Sequence, residues 1–276
     1  MHPSESHELW QEFHVSPRYL AGSTYTGDTA LQPLFDQGWE VRDDELGNVY
    51  VTAPDFTVRV GFLPEGEDND LWKITAYRDP FGGPHWAATF GAQTPTEVVE
   101  GFTTALAAAH ARGDQSHLYD HSMKLEDALK PLVEAGWKHE FSQGVTRFTT
   151  PDTFASVAHT RVPIYKDDWL TMQGGPPDFY SFWDATYTRE TPKTLIAGAT
   201  KALADPSPVI RSAGGIPRTM WPHLTATLIE PPAHESPRSQ AARARSSNPA
   251  PKIAEPLQTA PAQSTAPAPP SPRRRP

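Results

Sequence analysis

Apolar positions along this chain keep two periods in turn. Leu31, Leu34 and Phe35 fall at i, i+3 and i+4, one face of a short helix, and Gly38 follows where a left-handed residue ends a helix. Pro33 sits in the first turns, where its missing N–H costs least. From about residue 49 the period drops to two. Strands are predicted near 49–53, 56–63, 72–78 and 86–90, with Phe56, Val58, Val60 and Phe62 sharing one face and Trp72, Ile74, Ala76, Trp86, Ala88 and Phe90 doing likewise. Pro54-Asp55 and the run Pro80-Phe81-Gly82-Gly83-Pro84 mark turns between them. Such regular alternation predicts an antiparallel sheet with one face packed and the other wet. The helical period returns after Thr94-Pro95-Thr96-Glu97, which reads as a capping box with proline at the first helical position. Val98, Val99, Phe102, Ala105, Leu106 and Ala109 form the stripe of that second helix.

The whole pattern then repeats. Leu31-Gln32-Pro33-Leu34-Phe35-Asp36-Gln37-Gly38-Trp39 returns as Leu129-Lys130-Pro131-Leu132-Val133-Glu134-Ala135-Gly136-Trp137, 98 residues on. One deletion later the offset is 97: Gly47 matches Gly144, Pro54-Asp55 matches Pro151-Asp152, Trp72 matches Trp169, Trp86 matches Trp183, and Thr94-Pro95 matches Thr191-Pro192. Six of the eight tryptophans fall in such pairs, which chance does not produce for so rare a residue. The expected fold class is α+β: two tandem copies of an α-β-β-β-β-α unit, each an antiparallel sheet with helices packed on one face, plus a disordered C-terminal tail.

Charge divides the chain differently. Net charge is −9 over 276 residues, but residues 1–210 carry −15 and residues 211–276 carry +6. From Pro231 onward the chain is Pro, Ala, Ser and Arg, with too little apolar surface to offset the entropy of ordering. The expected organisation is an N-terminal arm over 1–13, a first repeat over 14–112, a second over 113–210, a linker over 211–230 and the tail over 231–276. The absence of cysteine excludes disulfides, thiolate metal sites and thiol catalysis. With neither a signal-peptide pattern at the start nor a long apolar run, a cytoplasmic protein without membrane contact is expected.

The motifs Ser16-Pro17-Arg18-Tyr19-Leu20-Ala21-Gly22, Gly38-Trp39, Pro54-Asp55, Trp72, Trp86-x-x-x-Phe90 and Thr94-Pro95 resemble the actinobacterial, largely streptomycete, family known as domain of unknown function 317. Members of that family often carry two copies per chain. The resemblance spans about residues 14 to 205 and implies no catalytic activity. The second copy departs from it at its start, where Ser116-His117-Leu118-Tyr119-Asp120 replaces the opening motif. A role for that motif is therefore expected in the first copy alone.

Candidate chemistry is sparse. Arg18 and Tyr19 place a guanidinium beside an aromatic ring in a glycine-ended loop, suited to an anion, a carboxylate, or an internal ion pair tying down the arm. His159 takes the position of inward-facing Phe62, as a core histidine or the mark of a pocket. Arg273, Arg274 and Arg275 are candidate phosphate or acidic-partner contacts in the tail. His117 and His121 share helical spacing, but no third ligand accompanies them and a linker is the better account, so no metal and no cofactor is expected. Nucleotide-loop, nucleophile-elbow and zincin motifs are absent, and no catalytic residue is expected. The expected function is a non-catalytic tandem module that binds an unknown protein partner through the groove between its copies or its sheet edges. The alternatives are nucleic-acid association through the tail only, and an enzyme with an unrecognised site.

Overall fold

The alternating stretches pair in sequence order, so each repeat becomes a meander closed by a helix. In the computed structural model the described residues are 9–24, 26–65, 70–79, 81–120, 122–161, 169–176 and 181–230. An opening strand β1 (Glu12–Ser16) leads into a single 3-10 turn over Arg18–Leu20. The first copy is α1 (Asp28–Phe35), β2 (Glu40–Asp43), β3 (Val49–Thr52), β4 (Val58–Phe62), β5 (Asp70–Ala76), β6 (Trp86–Gly91) and α2 (Thr96–Ala111). A short helix α3 (Ser116–Tyr119) precedes the second copy: α4 (Leu125–Glu134), β7 (Lys138–Ser142), β8 (Val145–Thr149), β9 (Ala155–Thr160), β10 (Leu170–Gly174), β11 (Trp183–Tyr187) and α5 (Lys193–Ala204). Strands β12 (Val209–Ser212) and β13 (Thr225–Leu228) follow.

The two meanders join into one ten-stranded antiparallel sheet in the order β2-β3-β4-β5-β6-β11-β10-β9-β8-β7. At the seam Phe90 faces Ala185, Thr89 faces Thr186 and Ala88 faces Tyr187. Thr89 and Thr186 are equivalent residues of the two copies, and their hydroxyls lie 2.9 Å apart, so a pseudo-twofold axis passes between them. The same symmetry places Thr94 Oγ1 as donor to Asp184 O (3.0 Å) and Thr191 Oγ1 as donor to Ala87 O (3.2 Å). Helices α1, α2, α5 and α4 cover one face, with α2 packed on α5 at the centre. Beneath them lies one continuous core that includes Trp72, Trp86, Phe90, Phe102, Trp183 and Tyr187. Where α2 crosses α5 the contact is backbone to backbone: a Cβ built on Gly101 would lie 2.5 Å from Gly198 O, and one on Gly198 would collide with Gly101 O.

Several local features differ from the periodicity. Each copy has a fifth strand, β2 or β7, at the outer edge of the sheet. Every residue of both is exposed, so no apolar alternation announces them. Phe56 does not join the packed face: it sits in the β3–β4 turn with φ +61 and its side chain exposed, and Thr153 repeats the conformation with φ +68. The capping box does not form, because Pro95 is the cap residue and makes no side-chain bond, Thr94 is spent across the seam, and Glu97 binds Arg211.

Residues 209–228 supply more than a linker. β1 lies between β12 and β13 in a three-stranded antiparallel sheet, which begins inside the N-terminal arm at Glu12. Phe13, Val15, Leu20, Ala21, Val209, Ile216 and Met220 form its own small core. Arg211, buried, donates to Gly22 O (3.1 and 2.8 Å) and to both oxygens of Glu97 (2.8 and 2.6 Å), locking this sheet to α2. The tail over 231–276 lies outside the described residues. No helix among the described residues is long and apolar enough to cross a membrane.

Candidate functional site

The indole N–H of each buried seam tryptophan must find an acceptor, and the acceptors belong to the two opening segments. Trp183 Nε1 donates to Tyr19 O (2.8 Å) and Trp86 Nε1 donates to His117 O (3.0 Å). Ser116–Tyr119 is therefore the counterpart of Arg18–Leu20 in place, although its side chains differ, and Leu20 and Leu118 are both buried. The segment preceding the first copy docks on the second copy. The segment preceding the second copy docks on the first.

Arg18 and Tyr19 accordingly meet second-copy residues. Arg18 is 9% exposed; its guanidinium donates to Ala202 O (2.7 Å), Asp205 Oδ2 (3.0 Å) and Ser207 O (3.5 Å). Tyr19 is half-buried, with its ring edge-on to Trp137 at 6.2 Å and its hydroxyl donating to Asp152 Oδ2 at 2.6 Å. Burial, and then the Asp152 carboxylate beside it, push the Tyr19 hydroxyl well above the usual phenol range, so it remains a proton donor. Asp205 is held below the usual carboxylate range chiefly by the Ser207 backbone and hydroxyl, with Arg18 adding to the effect.

Beside these residues runs a cleft of about 1360 Å³ between α2, α5, the end of α4 and the opening segment. Gly101, Ala105, Gly198 and Ala202 supply small apolar surface within it. Among the described residues Glu97, Glu100, Glu134, Asp152 and Asp205 line it together with Arg18 and Lys201. Burial and the neighbouring Glu97 raise the Glu100 carboxyl, partly countered by Arg18. Among the described residues no Lys or Arg lies within ion-pair distance of Glu100.

The pseudo-twofold counterpart of Trp137, Tyr19 and Asp152 is Trp39, His117 and Asp55. The first copy fills this position with imidazoles. Helix α2 runs one turn beyond the point at which α5 ends, and that turn carries His110. His110 Nε2 lies 3.2 Å from Asp55 Oδ1, and His117 Nε2 lies 3.9 Å from Asp55 Oδ2 and 3.0 Å from Thr57 Oγ1. The three donor atoms of Asp55, His110 and His117 all fall within 4.8 Å of one another. Thr57 supplies both its backbone N–H (3.1 Å) and its hydroxyl (2.7 Å) to Asp55 Oδ1. Burial works to raise the Asp55 carboxyl, but the bonds from Thr57 and His110 outweigh it and leave it below the usual range. Burial, and then His110, lower the His117 imidazole, so it is neutral at pH 7. This grouping escaped the sequence pattern: Asp55 stood out only as a turn residue paired with Asp152, His117 only in a pair with His121, and His110 not at all.

His159 sits on β9 opposite Leu170 and Thr146, with its ring edge-on to Trp169 at 4.9 Å, as Phe62 packs on Trp72 at 4.8 Å. It is not among the residues that line the cleft. Arg273, Arg274 and Arg275 lie outside the described residues, as does His121.

The sequence model of the SPDY family, a domain of unknown function (DUF317), matches residues 52–111 and 144–209. These two tandem segments run from the end of β3 through α2, and from the turn before β8 to the start of β12. No curated protein and no solved structure matches the chain.

Proposed function

We propose that the two tandem DUF317 copies work as one non-catalytic binding module, which receives a cationic segment of a protein partner in the cleft beside the α2–α5 crossing. The observation carrying this reading is the cleft itself: small apolar residues bordered, among the described residues, by five carboxylates, of which Glu97, Glu134 and Asp205 pair with Arg211, Lys130 and Arg18 while Glu100 has no ion-pair partner. Its volume of about 1360 Å³ exceeds the roughly 300–1,000 Å³ of ordinary small-molecule pockets. Glu100 favours a cation further. A carboxylate that is half-buried beside another carboxylate gains from any Lys or Arg brought next to it. The small residues leave room for a backbone or an aliphatic stem to lie against the helices.

The test is fluorescence anisotropy with a labelled peptide of alternating Arg and Leu-Ala steps, against a matched peptide with Glu in place of Arg. The full-length chain binds the cationic peptide and releases it as salt rises. Glu100→Gln with Glu134→Gln weakens binding about tenfold, and Thr104→Trp, at an exposed cleft position, blocks it. Equal binding of both peptides, or indifference to these variants, refutes the reading. Binding of duplex DNA that disappears on removing residues 231–276 replaces it with the nucleic-acid alternative.

A further inference from the structure

We propose that Asp55, His110 and His117 form a binding site for a divalent transition metal such as zinc, present in the first copy alone. The donor set is the first argument. Two imidazole nitrogens and one carboxylate suit zinc and its neighbours, whereas calcium and magnesium prefer a shell of oxygens. Three protein ligands leave the fourth tetrahedral position to water, and the Asp55 side chain is 45% exposed, so water reaches it.

Geometry is the second argument. Metal–ligand bonds of about 2.0–2.2 Å set tetrahedral ligand atoms roughly 3.3–3.6 Å apart. His110 Nε2 is 3.2 Å from Asp55 Oδ1, His117 Nε2 is 3.9 Å from Asp55 Oδ2, and the three ligand atoms lie within 4.8 Å of one another, so the cluster closes on the ion with side-chain shifts of about an ångström. The ligands are also held in place. Thr57 fixes the carboxylate by two bonds, His110 lies edge-on to buried Trp39 at 5.1 Å, and the His117 backbone is anchored through its carbonyl by Trp86. His117 is buried and its Nε2 faces the cluster, 3.0 Å from Thr57 Oγ1.

The duplication supplies an internal comparison. In the second copy the task of holding an opening segment against the equivalent Asp152 is met by one Tyr19 hydrogen bond. The first copy places two imidazoles on its aspartate, one of them delivered by an extra helical turn, and joining the segments does not require both.

The full-length chain, stripped with a chelator, is titrated with zinc by calorimetry and with cobalt(II) by visible absorption. One equivalent binds, and cobalt shows the intense d–d absorption of a four-coordinate site. His110→Ala and Asp55→Asn each weaken zinc binding about tenfold or more and abolish the cobalt band, while their far-ultraviolet dichroism in chelator matches the parent. His139→Gln, on an exposed edge strand, leaves both signals unchanged. No saturable binding at micromolar zinc overturns the proposal. So does binding that survives in the Asp55→Asn, His110→Ala double variant, because it then resides on other histidines.

Discussion

Replacing Gly198 by Ala tests the seam where the two copies meet. In an exposed helix the change would stabilise by about 1 kcal/mol, because glycine loses more backbone entropy on folding than alanine. Here the new methyl collides with Gly101 O and meets Ala105 Cβ at 3.0 Å. The first obstacle is backbone, so no rotamer change relieves it; the helices must separate, and overpacking of this kind costs about 1–3 kcal/mol. Taking the upper end for a backbone collision, the net loss is about 2 kcal/mol, or about 4–8 °C in Tm for an ordered body of this size. Gly101→Ala acts alike, since its methyl would meet Gly198 O at 2.5 Å and Ala202 Cβ at 2.9 Å. One separation of α2 from α5 relieves both collisions, so the double variant loses less than the sum of the two singles. Urea and thermal unfolding followed by tryptophan fluorescence read the outcome, because the seam tryptophans Trp86 and Trp183 are buried. A Gly198→Ala protein more stable than its parent refutes the backbone contact.

Substituting Phe for His159 copies Phe62 of the first repeat, and it stabilises by about 1 kcal/mol. Burial depresses the His159 pKa below 6.5, helped by Arg161, Lys193 and Arg189 and opposed by Glu126. The unfolded chain therefore takes up the proton first, and stability present above pH 6.5 is lost as pH falls toward the folded value. His159→Phe flattens that slope below pH 6.5; denaturant midpoints measured from neutral pH downward check it, and an unchanged slope counts against this reading of His159. Arg211→Met strands Glu97 and Gly22 O and costs about 3 kcal/mol. Adding Glu97→Gln recovers part of that loss, and a double-mutant cycle with no coupling would contradict the bidentate pair.

The repeated core was legible because buried Trp, Leu and Val and the helix-ending Gly38 and Gly136 recur at an offset of 98 that becomes 97, and burial constrains side-chain identity. Strands β2 and β7 were not, because Glu40, Arg42, Lys138 and Glu140 bury nothing and leave no apolar trace. The match between Ser116–Tyr119 and Arg18–Leu20 stayed hidden for another reason. What the seam tryptophans need from those segments is a backbone carbonyl, which any residue offers. Phe56 shows that parity overruns into a turn when the turn residue is itself apolar. Asp55, His110 and His117 lie 55 and 7 residues apart in sequence; the fold of the first copy pairs the first two, and the docking of α3 adds the third.

The position of β1 between β12 and β13 orders the assembly of the chain in time. During synthesis β1 emerges almost two hundred residues ahead of the strands it pairs with, so Phe13 and Val15 wait uncovered while both repeats are made. Any fragment that stops short of Val209 leaves that strand without a ladder, however well its repeats have folded. Strand β1 is thus locked in only after the second repeat is complete, and its protection from a protease reports that translation has passed β12.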